Sequence, residues 1–188
     1  MSEFLNDFQK AFLLGLARDT VAAAVSSSRP AAKPATKDPV LLGKRGAFVT
    51  LKVGGELRGC IGYPLPYKPL AETVAEMAVA AATQDYRFDP IGPEDLARLD
   101  IEISVLTLPK TVTDVKEIEV GKHGIIVSQG RNSGLLLPQV PEEYGWDLET
   151  FLRHGCQKAG LPANAWKTGA KIETFEAQVF SEGRGAQA

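Results

Sequence analysis

The chain is poor in the residues that most often carry chemistry: its 188 residues include two cysteines, two histidines, two tryptophans and two methionines. Cys60 and Cys156 stand far apart and neither belongs to a Cys-x-x-Cys pair, which excludes a disulfide framework and fits a reduced compartment. Structural zinc sites usually show a close-spaced ligand pair, and Cys60, His123, His154 and Cys156 offer none of that kind. Gly43, Gly46, Gly54 and Gly55 make neither a Walker nor a dinucleotide pattern, so no cofactor is expected. Basic charge is not in excess either. Twenty-one Lys and Arg against twenty-three Asp and Glu leave a net charge of -2, which argues against a nucleic-acid binder that depends on a basic surface. No apolar run approaches the roughly 20 residues a membrane-spanning helix needs. Glu3 and Asp7, with Arg18 and Asp19 after the apolar stretch 11–16, do not read as a secretory signal. These absences together point to a cytoplasmic protein with no membrane segment.

What is present is an ordinary globular composition, 44% hydrophobic and 23% charged, in a chain long enough to bury a real core as one domain spanning 1–188. Phe4, Phe8, Ala11, Phe12 and Leu16 recur at helical spacing and predict an amphipathic N-terminal helix over 4–25 packed on the body. Residues 26–39, with Pro30, Pro34 and Pro39, read as an extended loop. The segment 46–62 predicts a hairpin: Ala47, Val49, Leu51 and Val53 alternate with polar positions, and Gly54-Gly55 is the turn. A two-residue turn sets Leu51 opposite Arg58 and Val49 opposite Cys60, on the apolar side. A one-residue bulge would turn both to the other face.

Further on, 69–83 reads as a helix with Leu70, Val74, Met77, Ala78 and Ala81 as its core stripe, and a helix start follows at 92–95. Residues 101–107 read as a strand. Ile125 to Ser128 and Leu135 to Leu137 flank a hairpin loop of about four to six residues. Asp147 is a good N-cap, with Trp146 and Phe151 at staple positions, and Gly160 and Pro162 end that helix. Phe175, Ala177 and Val179 mark a last strand, and 182–188 form a Gly-rich tail expected to be mobile. Hairpins interrupted by irregularly spaced helices predict an α+β architecture, an antiparallel or mixed sheet flanked by helices.

The candidate site centres on Leu57-Arg58-Gly59-Cys60-Ile61-Gly62. Residues i and i+2 of a strand share a face, so Arg58 lies beside Cys60, where a guanidinium favours the thiolate. Gly59 and Gly62 allow close approach of backbone or ligand. Cys60 then reads as a nucleophile, or as a small core residue in a tight hairpin, since free cysteine is among the most buried types. Arg58 could instead pair with a carboxylate, Asp85 being one candidate. Arg87 could grip an anionic group or pair with Asp85 or Asp89, and Asp85 could also serve as a loop residue bonded to nearby backbone. His123, in a glycine-flanked turn, is a candidate base for Cys60, against a structural or solvated reading. Cys156, on an apolar helix stripe, is assigned to packing.

Together these residues resemble the AMMECR domain family, whose hallmark hexapeptide stands unbroken at 57–62. The segments 47–51, 85–88, 121–124, 135–140 and 158–161 fit the same pattern, and the likeness runs from about residue 8 to 180. The resemblance implies a larger and a smaller α/β subdomain with a cleft between them. It also implies a Memo-type protein and a radical SAM protein as partners. The reading it supports is a cleft holding a small anionic ligand near Arg58, Gly59, Cys60, Gly62, Asp85, Arg87 and His123, with Cys60-dependent chemistry. The alternative is a non-catalytic adaptor for those partners.

Overall fold

The computed structural model describes residues 4–27 and 34–183. The chain folds as two compact units: one comprises the residues up to Leu106 and from Gln178 onward, and the other is Thr107–Ala177. Each unit is α+β with its own four-stranded sheet and its own core.

In the first unit the strands are β1 (Ala47–Val53), β2 (Glu56–Tyr63), β3 (Leu99–Leu106) and β8 (Ala177–Ser181), in the spatial order β2-β1-β3-β8. β1 is central and pairs antiparallel with both β2 and β3. Its alternation holds: Ala47, Val49, Leu51 and Val53 are buried, and Ile101, Ile103 and Val105 of β3 meet them. Gly54 and Gly55 turn the hairpin at φ of 61° and 87°, conformations glycine takes without steric cost. Helices α1 (Asp7–Ser27) and α3 (Leu70–Thr83) pack on each other, and α3 covers β1 and β2. The short helix α2 (Pro39–Leu42) begins within the expected loop, capped by Asp38 Oδ1, which accepts the Val40 N–H at 2.8 Å. Of that loop, residues 28–33 lie outside the described residues.

The N-terminal helix starts later than its periodicity predicts, and its buried face is shifted: Phe12 and Leu16 of the expected stripe pack on the core only partly buried. Asn6 Oδ1 accepts the Gln9 N–H and Gln9 Oε1 accepts the Asn6 N–H, a reciprocal cap that fixes the first turn. The buried stripe is Gln9, Leu13, Ala17, Thr20 and Val21, while Phe4 and Phe8 are exposed. The expected tail also needs correction at its start, because Glu182 is held by Arg18 in a bidentate pair and its N–H donates to Ile101 O. Residues 184–188 lie outside the described residues.

In the second unit β4 (Lys110–Thr111), β5 (Gly124–Gln129), β6 (Asn132–Leu136) and β7 (Lys171–Phe175) form the order β4-β7-β5-β6, with antiparallel pairings. The β5–β6 loop is shorter than expected, with Gly130-Arg131 alone between the strands. The single last strand is in fact two, β7 and β8, belonging to different sheets. A short helix α4 (Gln139–Glu143) precedes α5 (Leu148–Lys158), whose N-cap is Asp147: its Oδ1 accepts the Thr150 N–H at 2.8 Å. Phe151, Leu152 and Cys156 of α5 are fully buried against Ile125 and Val127, which gives Cys156 the packing role expected of it. His154 lies outside that stripe and stacks on Trp146, ring centroids 3.9 Å apart.

Candidate functional site at the β2 edge

β2 is an edge strand, and a bulge governs what it presents. Lys52 pairs with Leu57 but Leu51 pairs with Gly59, so Arg58 has no residue opposite. The expected register is therefore displaced by one residue, and Cys60 stands opposite Thr50 instead of Val49. The cause lies in Gly59, which faces α3 so closely that a Cβ there would come within 2.1 Å of Ala81 O. With glycine spent on that approach, Cys60 turns to the opposite face, half-buried, its Sγ 3.2 Å from Thr50 Oγ1. The hydroxyl donates to the sulfur and holds it in place against β1.

Arg58 does not pair with Asp85. Its Nη2 lies 3.8 Å from Asp95 Oδ2 and 3.4 Å from Asp89 O. Asp95 also accepts the Gly92 N–H at 3.1 Å and lies 3.6 Å from Arg98. The bulged arginine thus ties β2 to the helical turn Pro93–Arg98 that precedes β3.

Asp85 pairs with Arg87 instead, and the pair grips Cys60. Oδ1 accepts from Arg87 Nε at 2.9 Å and Oδ2 from Nη2 at 2.7 Å, a bidentate arrangement. Oδ2 also accepts the Cys60 N–H at 2.8 Å, and Arg87 Nη2 donates to Cys60 O at 3.1 Å. A carboxylate and a guanidinium thereby fill the two main-chain positions that a further strand would use at an open edge. Asp85 is buried, whereas the Arg87 side chain remains 47% exposed. Arg87 is the chief reason that the Asp85 carboxyl lies well below the usual carboxylate range; burial opposes the shift, and the Cys60 and Arg87 amides add to it. Asp85 in turn raises the Arg87 guanidinium above its ordinary value.

His123 belongs to the second unit, in the turn that follows Gly121 at φ 87°. Its Nδ1 accepts the Glu119 N–H at 3.1 Å, which leaves the proton of the neutral ring on Nε2. Nε2 lies 3.8 Å from Glu176 Oε1, beside a cavity of about 250 Å³ that Lys110 and Glu117 also line. In this tautomer His123 offers a donor; service as a base needs the other tautomer or loss of the Glu119 contact. The structure thus gathers Arg58, Gly59, Cys60, Gly62, Asp85 and Arg87 in one unit and His123 in the other. Thr50, Asp95, Glu119 and Glu176 were missed by the sequence reading. Thr50 alone had a usable signal, as the polar position neighbouring Val49 that a one-residue slip brings opposite Cys60.

Beyond Cys60 along the same strand, a cavity of about 540 Å³ lies between β2 and α3, lined among others by Ile61, Gly62, Tyr63, Ala75, Glu76 and Val79. Tyr63 donates its hydroxyl to Glu76 Oε1 at 2.8 Å, and Lys68 pairs with the same carboxylate. Among the described residues no group of three His, Cys, Asp or Glu side chains is arranged to hold a metal. No described helix is long and apolar enough to cross a membrane.

A two-unit α+β protein with a cysteine-bearing edge strand, locked by an Asp–Arg pair, is the class these features define. The family model AMMECR1 matches residues 14–180, and the chain belongs to that family. It is 48% identical to a protein of Methanopyrus kandleri over 97% of this chain and 92% of the relative, and 42% identical to one of Methanosarcina barkeri over 95% and 92%. Among solved structures, an uncharacterised protein of Pyrococcus horikoshii superposes with a TM-score of 0.77 at 39% identity, over 95% of this chain and 94% of that one.

Proposed function

We propose that this AMMECR1-family chain binds a small anionic ligand at the β2 edge, with Arg87 as the anion contact and Cys60 as the reactive group beside it. The observation that carries this reading is the Asp85–Arg87 pair on the Cys60 main chain. Asp85 fixes the guanidinium in place, so a ligand reaching its exposed part does not have to order a long side chain, a cost that weakens most surface arginine sites. The half-buried sulfur, with the Thr50 hydroxyl at hand, stands next to that contact as a nucleophile for an electrophilic ligand. On family membership alone, the reading extends to a Memo-type protein and a radical SAM protein as the proteins that supply or receive the ligand, in the cytoplasm.

Alkylation of the native protein tests it, since Cys156 is fully buried and iodoacetamide should reach Cys60 alone. Inorganic phosphate, acetate and citrate are the probes. At least one should slow Cys60 alkylation saturably in the wild type and fail to do so in Arg87→Gln. If none of the three changes the rate, the anion site at Arg87 is refuted.

A further inference from the structure

One step beyond Cys60 lies a stretch of the β2 edge that no strand among the described residues pairs with. In an antiparallel pair, main-chain groups point alternately toward and away from the partner strand. Cys60 turns its N–H and C=O outward, to Asp85 and Arg87. Gly62, two residues on and paired with Phe48 in the same ladder, therefore turns its own N–H and C=O outward as well. Among the described residues neither is taken up by a loop or turn hydrogen bond. Gly62 has no side chain to screen them, and a Cβ there would meet the Phe48 ring at 2.4 Å.

These outward groups do not face a bare surface. Gly62 lines the cavity of about 540 Å³ whose other walls are the α3 stripe Glu72, Ala75, Glu76, Val79 and Ala80, and Pro34. Its volume falls within the range of specific ligand sites, roughly 300–1,000 Å³. Along this wall Glu72 and Glu76 carry negative charge, and Lys68, paired with Glu76, offsets one of them. An edge donor and acceptor next to an apolar trough is the arrangement by which sheets capture an extended peptide, main chain for affinity and alternate side chains for specificity.

We infer that the groove between β2 and α3 binds an extended segment of a partner protein, which pairs with Gly62, lays a small apolar side chain against Ala75, Val79 and Ala80, and sets a basic side chain opposite Glu72. The Asp85–Arg87 pair limits this addition: with the Cys60 main chain already satisfied, the added strand ends before Cys60 and leaves the sulfur uncovered. The site is thus separate from the anion contact at Arg87, and each can fail without the other.

The probe is the capped pentapeptide acetyl-Lys-Val-Ala-Val-Lys-amide, titrated into the full chain labelled with nitrogen-15. The Gly62 amide should move saturably, together with those of Tyr63 and Val79. Methylating the central peptide nitrogens should weaken binding roughly fivefold or more, as loss of one edge hydrogen bond requires. Glu72→Lys, at an exposed position, leaves the core untouched; it should weaken the basic peptide and favour its glutamate counterpart, acetyl-Glu-Val-Ala-Val-Glu-amide. No movement of the Gly62 amide up to millimolar peptide overturns the proposal. So does binding that is indifferent to both N-methylation and the charge swap, since a nonspecific apolar contact would behave that way.

Discussion

Gly59→Ala is expected to cost about 3 kcal/mol or more, a large share of the 5–15 kcal/mol that holds a typical domain together. An added methyl group would come within 2.1 Å of Ala81 O and 2.9 Å of the Ala81 carbonyl carbon, and backbone atoms inside a packed helix cannot rotate away as a side-chain tip could. The gain of about 0.4–1 kcal/mol from stiffening the unfolded chain does not offset an overlap of that size. Relief requires β2 to move off α3, which also releases the bulge and turns Cys60 out of its place beside Thr50. Urea unfolding followed by circular dichroism should show the lower midpoint, and native alkylation of Cys60 should change with it. An alanine variant as stable as the parent would mean that strand and helix do not approach as described.

Asp85→Ala is expected to lose about 2–3 kcal/mol, because it removes the acceptor of the Cys60 N–H and of three Arg87 donors, Nε, Nη2 and the main-chain N–H, at a buried position and leaves a main-chain donor unsatisfied at the sheet edge. Asp85→Asn should cost less, since its amide oxygen still accepts the Cys60 N–H while the charge is gone. The pH dependence has a definite sign. A carboxylate whose folded pKa is depressed contributes stability that is fully present above its unfolded value, 3.8 for an ordinary aspartate, and is lost as pH falls below that value toward the folded one. Wild-type stability should therefore decline from about pH 4 downward more steeply than that of the asparagine variant. Parallel curves for the two proteins over that interval would show that Asp85 contributes no charge-dependent stability.

Much of the fold was legible because the signals were local. Gly54-Gly55 between alternating runs identified the hairpin, Asp147 identified the start of α5, and the stripe from Leu70 to Ala81 identified α3. The errors share a different origin. The bulge at Arg58 follows from the meeting of Gly59 with Ala81, which no pattern within residues 46–62 contains. The face of α1 was shifted, with Phe12 and Leu16 packed on the core but Phe4 and Phe8 exposed, because the aromatic residues outweighed Leu13, Ala17 and Val21 in a periodicity reading. β7 and β8 looked continuous because Phe175, Ala177 and Val179 alternate without a break, yet Glu176 exchanges hydrogen bonds with Thr107 between them. At the site, the pairing of Asp85 with Arg87 was among the readings the sequence allowed. That the pair closes on the Cys60 main chain depends on β2 being an edge, which is a property of the sheet and not of the segment.

The second unit occupies the chain between β3 and β8, two members of the same sheet. A ribosome releases residues in order, so the first unit waits for some seventy intervening residues before its fourth strand emerges, and Arg18 waits equally long for Glu182. Thr107–Ala177 can finish folding while its host is still one strand short, with the flank of β3 uncovered. For this protein the vulnerable interval in synthesis falls between the release of Thr107–Ala177 and the arrival of β8, when a stalled or clipped chain would carry a completed insert on an unfinished host.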